Sequence, residues 1–425
     1  MNKAPPSRSL RNVLPAVAGN AFEFYDFTLY AIFAGVIGRQ FFPAPTALES
    51  LLISLGVYAA GFVARPIGAL LIGGYADRKG RKAALTLTIV LMAVGTGLIA
   101  FTPPFASIGV AATVLVLLGR LLQGLSAGAE IGVASALLFE SAAPNQRCFI
   151  VSWQVASQGA AALTGAVAAM LVYGCLSEAD VESWGWRVPF IAGLLIAPLG
   201  LAIRRRMLES LPEQTQPSHP ARELLVEHRL RLMHGVAVLL GPTVFMQVLT
   251  YYLPIHLQRT LHYPPAWSFV LAFTIGSSLL ITAPLVGRYA DSLQRRKRLL
   301  YVALALSTVA IFPAFALLNT TASLSWSVVL ITALAILHYS SGGAGFVLLM
   351  QAFPSHLRAS SISLIYSLCV VLFGGTTLLV VTWLVEHSGN AMAPAWYAGA
   401  ACLLSLIALW RFPEAPFDRA DQRGR

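Results

Sequence analysis

Charge is what this chain has least of. Asp, Glu, Lys and Arg make up only 11% of its 425 residues, against about a quarter in a soluble domain. With 57% hydrophobic residues and a mean hydropathy of +0.72, a soluble fold is excluded and a chain crossing a bilayer many times is implied. Cysteine is scarce too. Cys148, Cys175, Cys369 and Cys402 stand apart without paired spacing, which excludes a disulfide framework and a thiolate metal site. No nucleophile-base constellation, metal-ligand cluster or phosphate loop occurs, so neither an enzyme nor a cofactor is expected. The net charge of +11 does not point to nucleic acid. The cations sit in short clusters between apolar runs, where they orient a chain in a membrane.

The apolar runs read as twelve helical spans, at 12–38, 49–73, 83–101, 108–139, 149–174, 187–206, 232–258, 266–287, 299–318, 326–350, 359–385 and 393–411. Lys3, Arg8 and Arg11 precede the first run as in a secretory leader. That run is too long for one and holds Glu23 and Asp26, so it reads as a retained span. An even number of spans puts both termini on one side. Of the 29 Lys and Arg residues, Arg39, Arg187 and Arg259 fall outside, and Arg65 and Arg120 fall within spans. The rest are inside when the termini are cytoplasmic, as the positive-inside rule requires.

The pattern repeats about a segment at 207–231 that contains Pro212, Pro217 and Pro220. Gly73-Gly74-Tyr75-Ala76-Asp77 follows span two, and Gly287-Arg288-Tyr289-Ala290-Asp291 follows span eight. Ala143-Pro144-Asn145-Gln146-Arg147 is echoed by Phe353-Pro354-Ser355-His356-Leu357-Arg358. The expected fold is an all-α membrane protein of two pseudo-symmetric six-helix bundles, 1–206 and 232–425, joined by the cytoplasmic linker 207–231 and ending in a short basic tail. Such repeats place a transport site between the halves near the midplane.

Gly73 through Lys82 resembles the loop 2–3 signature of the major facilitator superfamily, Gly-x-x-x-Asp-Arg-x-Gly-Arg-Arg/Lys. Arg120-Leu121-Leu122-Gln123-Gly124 resembles the fourth-helix motif of its proton-coupled members. Three further stretches are similar to the metabolite:proton symporter subfamily: Gly19-Asn20 with Glu23 and Tyr25-Asp26-Phe27, Phe62 to Ala69, and Trp184 to Phe190. Ser152-Trp153-Gln154-Val155-Ala156-Ser157-Gln158 looks most like the citrate/tricarballylate proton symporters. The second half departs from the pattern: Ser292-Leu293-Gln294-Arg295 lacks the Arg-x-Gly of the first copy, and His256 stands where a threonine or tyrosine is commoner. The resemblance implies a multi-pass carrier in a bacterial-type cytoplasmic (inner) membrane, functional as a monomer, with the proton as coupling ion. In that superfamily, spans one and four both line the central cavity.

A proton symporter needs a membrane-buried group that holds or releases a proton in step with substrate. A carboxylate facing a cavity beside an arginine can exchange that partner for a proton. Arg120 lies about a dozen residues into span four, near mid-depth by helical rise. An arginine there costs about 3 kcal/mol on insertion scales and faces a cavity or a partner charge. It reads as an anion ligand or as a strut between helices. Glu23 and Asp26, spaced i and i+3 on span one, are the proton-coupling candidates, with a packing salt bridge as the plainer reading. Glu130, on the cytoplasmic side of Arg120, belongs to coupling or to the gate. Asp77, Arg78, Arg81, Glu140 and Asp291 read as gate or conformational contacts.

A small polycarboxylate needs several donors, and arginine can grip one carboxylate through its planar fork. Besides Arg120, the candidates are Asn20 on the stripe of span one, Arg65, Gln123, and Gln154 with Gln158 at i and i+4. Tyr251, His338 and Tyr366 add donors from the second half. His338 is either a neutral imidazole bonded within the bundle or a ligand. Arg65 is either a second anion ligand or the partner of a carboxylate. His256 reads as a rim residue. The leading expectation is import of a small organic anion, citrate or a related tricarboxylate, by alternating access. The rivals are another carboxylate, a zwitterion such as proline or betaine, for which Phe22, Phe24, Tyr25 and Phe27 can supply an aromatic box, and a drug:proton exporter.

Overall fold

The computed structural model describes residues 8–79, 81–205, 220–320, 323–354 and 357–414, and among them every regular element is a helix. In the first half lie α1 (Arg8–Ile32), α2 (Ala34–Phe41), α3 (Ala47–Val63), α4 (Arg65–Lys79), α5 (Arg81–Phe101), α6 (Val110–Ser141), α7 (Arg147–Cys175) and α8 (Arg187–Arg205). The second half holds α9 (Arg229–Met246), α10 (Pro265–Ser292), α11 (Arg296–Thr320), α12 (Leu324–Tyr339), α13 (Gly342–Gln351), α14 (Arg358–Cys369), α15 (Gly375–Ser388) and α16 (Ala393–Arg411). Among the described residues, ten helical stretches are long and apolar enough to cross a membrane, or eleven when the bent pair Val17–Ile32 and Ala34–Phe41 counts as one. The remaining expected span, 187–206, falls on α8, part of whose side chains lie outside the described residues. Residues 207–219 of the expected linker also lie outside them.

The first span is not the straight run its hydropathy suggests. It bends by 70° at Phe33, between α1 and α2. The bend lays α2 on α3, where Gly38 sits so close that a Cβ there would lie 2.7 Å from the Ser50 carbonyl. The second span breaks at Ala64, ahead of Arg65-Pro66. Pro66 has no N–H to give the carbonyl of Phe62 and its ring crowds that turn. Wider π-type turns interrupt the second half at Gln247–Tyr252 and Val370–Gly374. Such turns re-aim side chains and are frequent at functional sites.

One continuous apolar cluster runs through the molecule, from Phe27 and Leu55 in the first half to Val347 and Leu378 in the second. The outer faces are apolar as well: Leu195, Val309 and Trp410 are about 70% exposed. A helix apolar on all sides suits a lipid surround. The halves meet most intimately along α7 and α10. There a Cβ on Gly159 would lie 2.7 Å from the Gly276 carbonyl, and one on Gly276 would lie 2.9 Å from that of Gly159. Small residues let membrane helices approach at backbone distance.

Candidate functional site

Two buried arginine-carboxylate pairs occupy the interior of the first half. Their placement begins with glycine. A Cβ on Gly124 would overlap the carbonyl of Gly61, and one on Gly128 would overlap that of Arg65. The backbones of α6 and the α3–α4 span therefore touch, which fixes Arg120 and Arg65 on adjoining levels facing α1. Glu23 and Asp26 stand almost one turn apart on α1. Arg65 Nη2 donates to Glu23 Oε1 at 2.6 Å, and Arg120 Nη1 lies 3.6 Å from Asp26 Oδ2. All four side chains are buried. Such groups are retained in a membrane interior only when paired, and removing one partner strands the other.

The two pairs are built differently. Glu23 meets its arginine directly. Between Arg120 and Asp26 lies the amide of Gln123: its Oε1 accepts from Arg120 Nη1 at 2.6 Å, and its Nε2 donates to Asp26 Oδ2. Thr96 Oγ1 donates to Asp26 Oδ1 at 2.9 Å. Gln123 is thus engaged within the network, as is Asn20, whose Nδ2 donates to the Gln154 carbonyl at 3.1 Å and to Ser157 Oγ at 2.7 Å. Thr88 Oγ1 lies 3.2 Å from Glu130 Oε2. Asn20 Oδ1 and both polar atoms of the Gln154 side chain are buried with no hydrogen-bond partner among the described residues.

A cavity of about 80 Å³ lies between the halves. Phe24, Phe27, Tyr58 and Phe62 wall it on one side, and Gln247, Tyr251, His338, Tyr339 and Tyr366 on the other, with Gln158 from α7. Of the nine residues expected to bind substrate, Gln158, Tyr251, His338 and Tyr366 line it. Asn20, Arg65, Arg120, Gln123 and Gln154 do not. His338 stacks on Phe245 with centroids 4.0 Å apart, and its Nε2 lies 3.3 Å from the Pro242 carbonyl. His256 is fully buried rather than at a rim, with Nε2 2.9 Å from Asn319 Oδ1. The arginines approach the cavity from behind its aromatic wall. Arg120 Cζ is 4.5 Å from the centroids of Phe27 and Tyr30, and Arg65 Cζ is 4.7 Å from that of Phe62 and 5.9 Å from that of Tyr366.

Of the gate candidates, Asp291 has the fullest environment. Its two carboxylate oxygens accept the N–H groups of Cys148 and Phe149 at 2.9 and 2.8 Å, capping α7 across the boundary between the halves, and Arg296 Nη2 stands 3.4 Å away. The dipole of α7 adds to this attraction. Glu140 is exposed. The side chains of Asp77, Arg78 and Arg81 lie outside the described residues.

Sequence reasoning missed Thr96 and Gln247. Thr96 carries no signal of its own in a run of small residues. Gln247 had one: Pro242 and Pro254 bracket it, and interior prolines mark an irregular turn.

The family model described as Major Facilitator Superfamily matches residues 16–374. A citrate-proton symporter of Klebsiella pneumoniae is 33% identical over 401 residues, covering 93% of this chain and 90% of that protein. A proline/betaine transporter of Salmonella typhimurium is 30% identical over 416 residues, covering 94% and 82%. The structure of a proton:xylose symporter bound to 6-bromo-6-deoxy-D-glucose superposes with a TM-score of 0.78 at 18% identity, covering 96% of each chain. At that identity the likeness concerns the fold.

Proposed function

Since this chain belongs to the Major Facilitator Superfamily, we propose that it is a proton-coupled symporter that imports a small organic anion, citrate or a related tricarboxylate, through twelve spans in two bundles with both termini cytoplasmic. The observation that carries this reading is the paired arrangement Glu23–Arg65 and Asp26–Arg120 behind the cavity wall. Two arginines supply two carboxylate grips. Two carboxylates can release those arginines by taking up protons.

These contacts support the following cycle. In the empty carrier the carboxylates hold the arginines, which keeps buried charge compensated. Protonation of Asp26 weakens its tie to Gln123 and Arg120 and frees guanidinium donors for an anion. Gln158, Tyr251, Tyr366 and His338 then offer neutral donors to the remaining oxygens without adding charge. Loading with both ligands shifts the population toward the inward-facing form, since ligands act only through their differential affinity for two states. Asp291 steadies one end of the boundary between the halves, and Asp77, Arg78, Arg81 and Glu140 belong to that same face.

A zwitterion such as proline or betaine is the second reading, favoured by the aromatic lining of the cavity and the similarity to proline/betaine transporters. A quaternary ammonium suits aromatic faces. Proteoliposomes separate the two. An inward proton gradient should accelerate labelled citrate uptake, and unlabelled tricarballylate should compete. Competition by betaine or proline, with none by tricarballylate, would overturn the tricarboxylate assignment.

A further inference from the structure

Phe27 lies against two arginines. Its ring centroid lies 4.5 Å from Arg120 Cζ and 5.0 Å from Arg65 Cζ. It stacks on Phe62 at 4.9 Å with an interplanar angle of 28° and meets Tyr58 edge-on at 5.9 Å. Phe27, Tyr58 and Phe62 border the cavity, whereas neither arginine does. Behind this wall, Arg120 Nε and Nη2 and Arg65 Nε are buried without a hydrogen-bond partner among the described residues. Buried cationic donors are strongly disfavoured when unmatched. Here the ring faces give them partial compensation through the aromatic quadrupole.

The position of Phe27 on α1 follows from its spacing. It is next to Asp26 and four residues after Glu23, so one helix carries both carboxylates and the ring that shields their arginines. Phe27 is the ring of this wall that lies within 5.0 Å of both guanidiniums, so it stands on a route from the cavity to either one. A ligand whose cation packs on aromatic faces need not take that route.

We propose that Phe27 is a movable partition between the cavity and the two arginines, and that its displacement by a carboxylate ligand sets which substrates engage Arg65 and Arg120. This positioning role rests on the reading of the site as a carrier for carboxylates. Its swing uncovers the unpaired donors of both guanidiniums to one ligand, and its return covers them again once the carboxylates have recaptured their arginines.

Two measurements on the purified full-length protein test this. The first is arginine modification by 2,3-butanedione, read at each site by peptide mass spectrometry. Phe27→Ala, which removes the wall, should accelerate modification at Arg65 and Arg120 by about tenfold, while Phe27→Leu, which keeps a bulky side chain in that place, stays near the wild-type rate. Unchanged rates in Phe27→Ala, or an equal rise at the exposed Arg39, would overturn the partition. The second places 4-fluorophenylalanine at position 27 and follows its fluorine resonance. Saturating citrate should move the resonance, and glycine betaine should move it less. If citrate raises the melting temperature but leaves the resonance in place, Phe27 does not move and the proposal fails. If neither ligand changes the melting temperature, the substrate reading fails instead, and the butanedione rates alone decide the partition.

Discussion

At the residue scale, the site depends on how each arginine meets its carboxylate. Arg65 contacts Glu23 directly at 2.6 Å, whereas Arg120 reaches Asp26 chiefly through the Gln123 amide. The planar fork matters more for Arg120, because Nη1 is committed to Gln123 while Nε and Nη2 remain for another partner. Arg120→Lys keeps the charge and loses the fork. Uptake should fall about ten- to hundredfold, the range expected for one desolvated charged hydrogen bond, with the melting temperature near wild type. Unaltered uptake would remove Arg120 from the site. Asp26→Asn retains the shape and loses the titratable group. Counterflow exchange should persist while accumulation driven by a proton gradient disappears. Survival of both activities would move the proton to another carboxylate, with Glu23 the next candidate.

At the scale of the elements, glycine decides where the charged residues stand. Gly124 and Gly128 on α6 meet the carbonyls of Gly61 and Arg65 in backbone contact. An added methyl has no room, so α6 and the α3–α4 span would have to separate and carry Arg65 and Arg120 apart. Gly128→Ala is expected to destabilise by about 1–3 kcal/mol, the range for overpacking, measured as a lower thermal midpoint in detergent. Gly97→Ala on α5 is the matched control, since nothing lies within 4 Å of a Cβ there. It should be neutral or stabilise by up to about 1 kcal/mol through helix propensity. Equal losses in both variants would show that close packing is not what Gly128 provides.

At the scale of the whole molecule, contacts that cross between the halves are expected to set the balance of conformations. Asp291 caps α7 from the other half through two N–H groups. Losing such a cap costs about 1–2 kcal/mol, a factor of about 5–30 in an equilibrium constant. Cys148 is fully buried at this point and is a native reporter. In membrane vesicles, Asp291→Ala should speed maleimide labelling of Cys148 from the face where α7 begins, by a factor in that range. Labelling at the wild-type rate would mean that the cap does not hold this face closed.

The membrane class, the helical fold and the family were legible in the sequence, because they depend on local quantities: low charge, long apolar runs, and motifs such as Gly73 to Lys82 whose residues are contiguous. Glu23, Asp26, Arg65 and Arg120 were legible for the same reason, since a charge inside an apolar run is conspicuous wherever the helix packs. The pairing was not. Nothing local says that Glu23 takes Arg65 while Asp26 reaches Arg120 through Gln123, or that Thr96 joins them, because partners on different helices meet only after glycine-guided packing. The same limit concealed the wall. Phe27 reads as part of an aromatic box and Phe62 as the start of a symporter-like stretch, and only their stacking places aromatic rings between the arginines and the cavity. Residue type and spacing are properties of one helix. Which donor faces which acceptor, and which ring covers them both, is settled by contacts between helices.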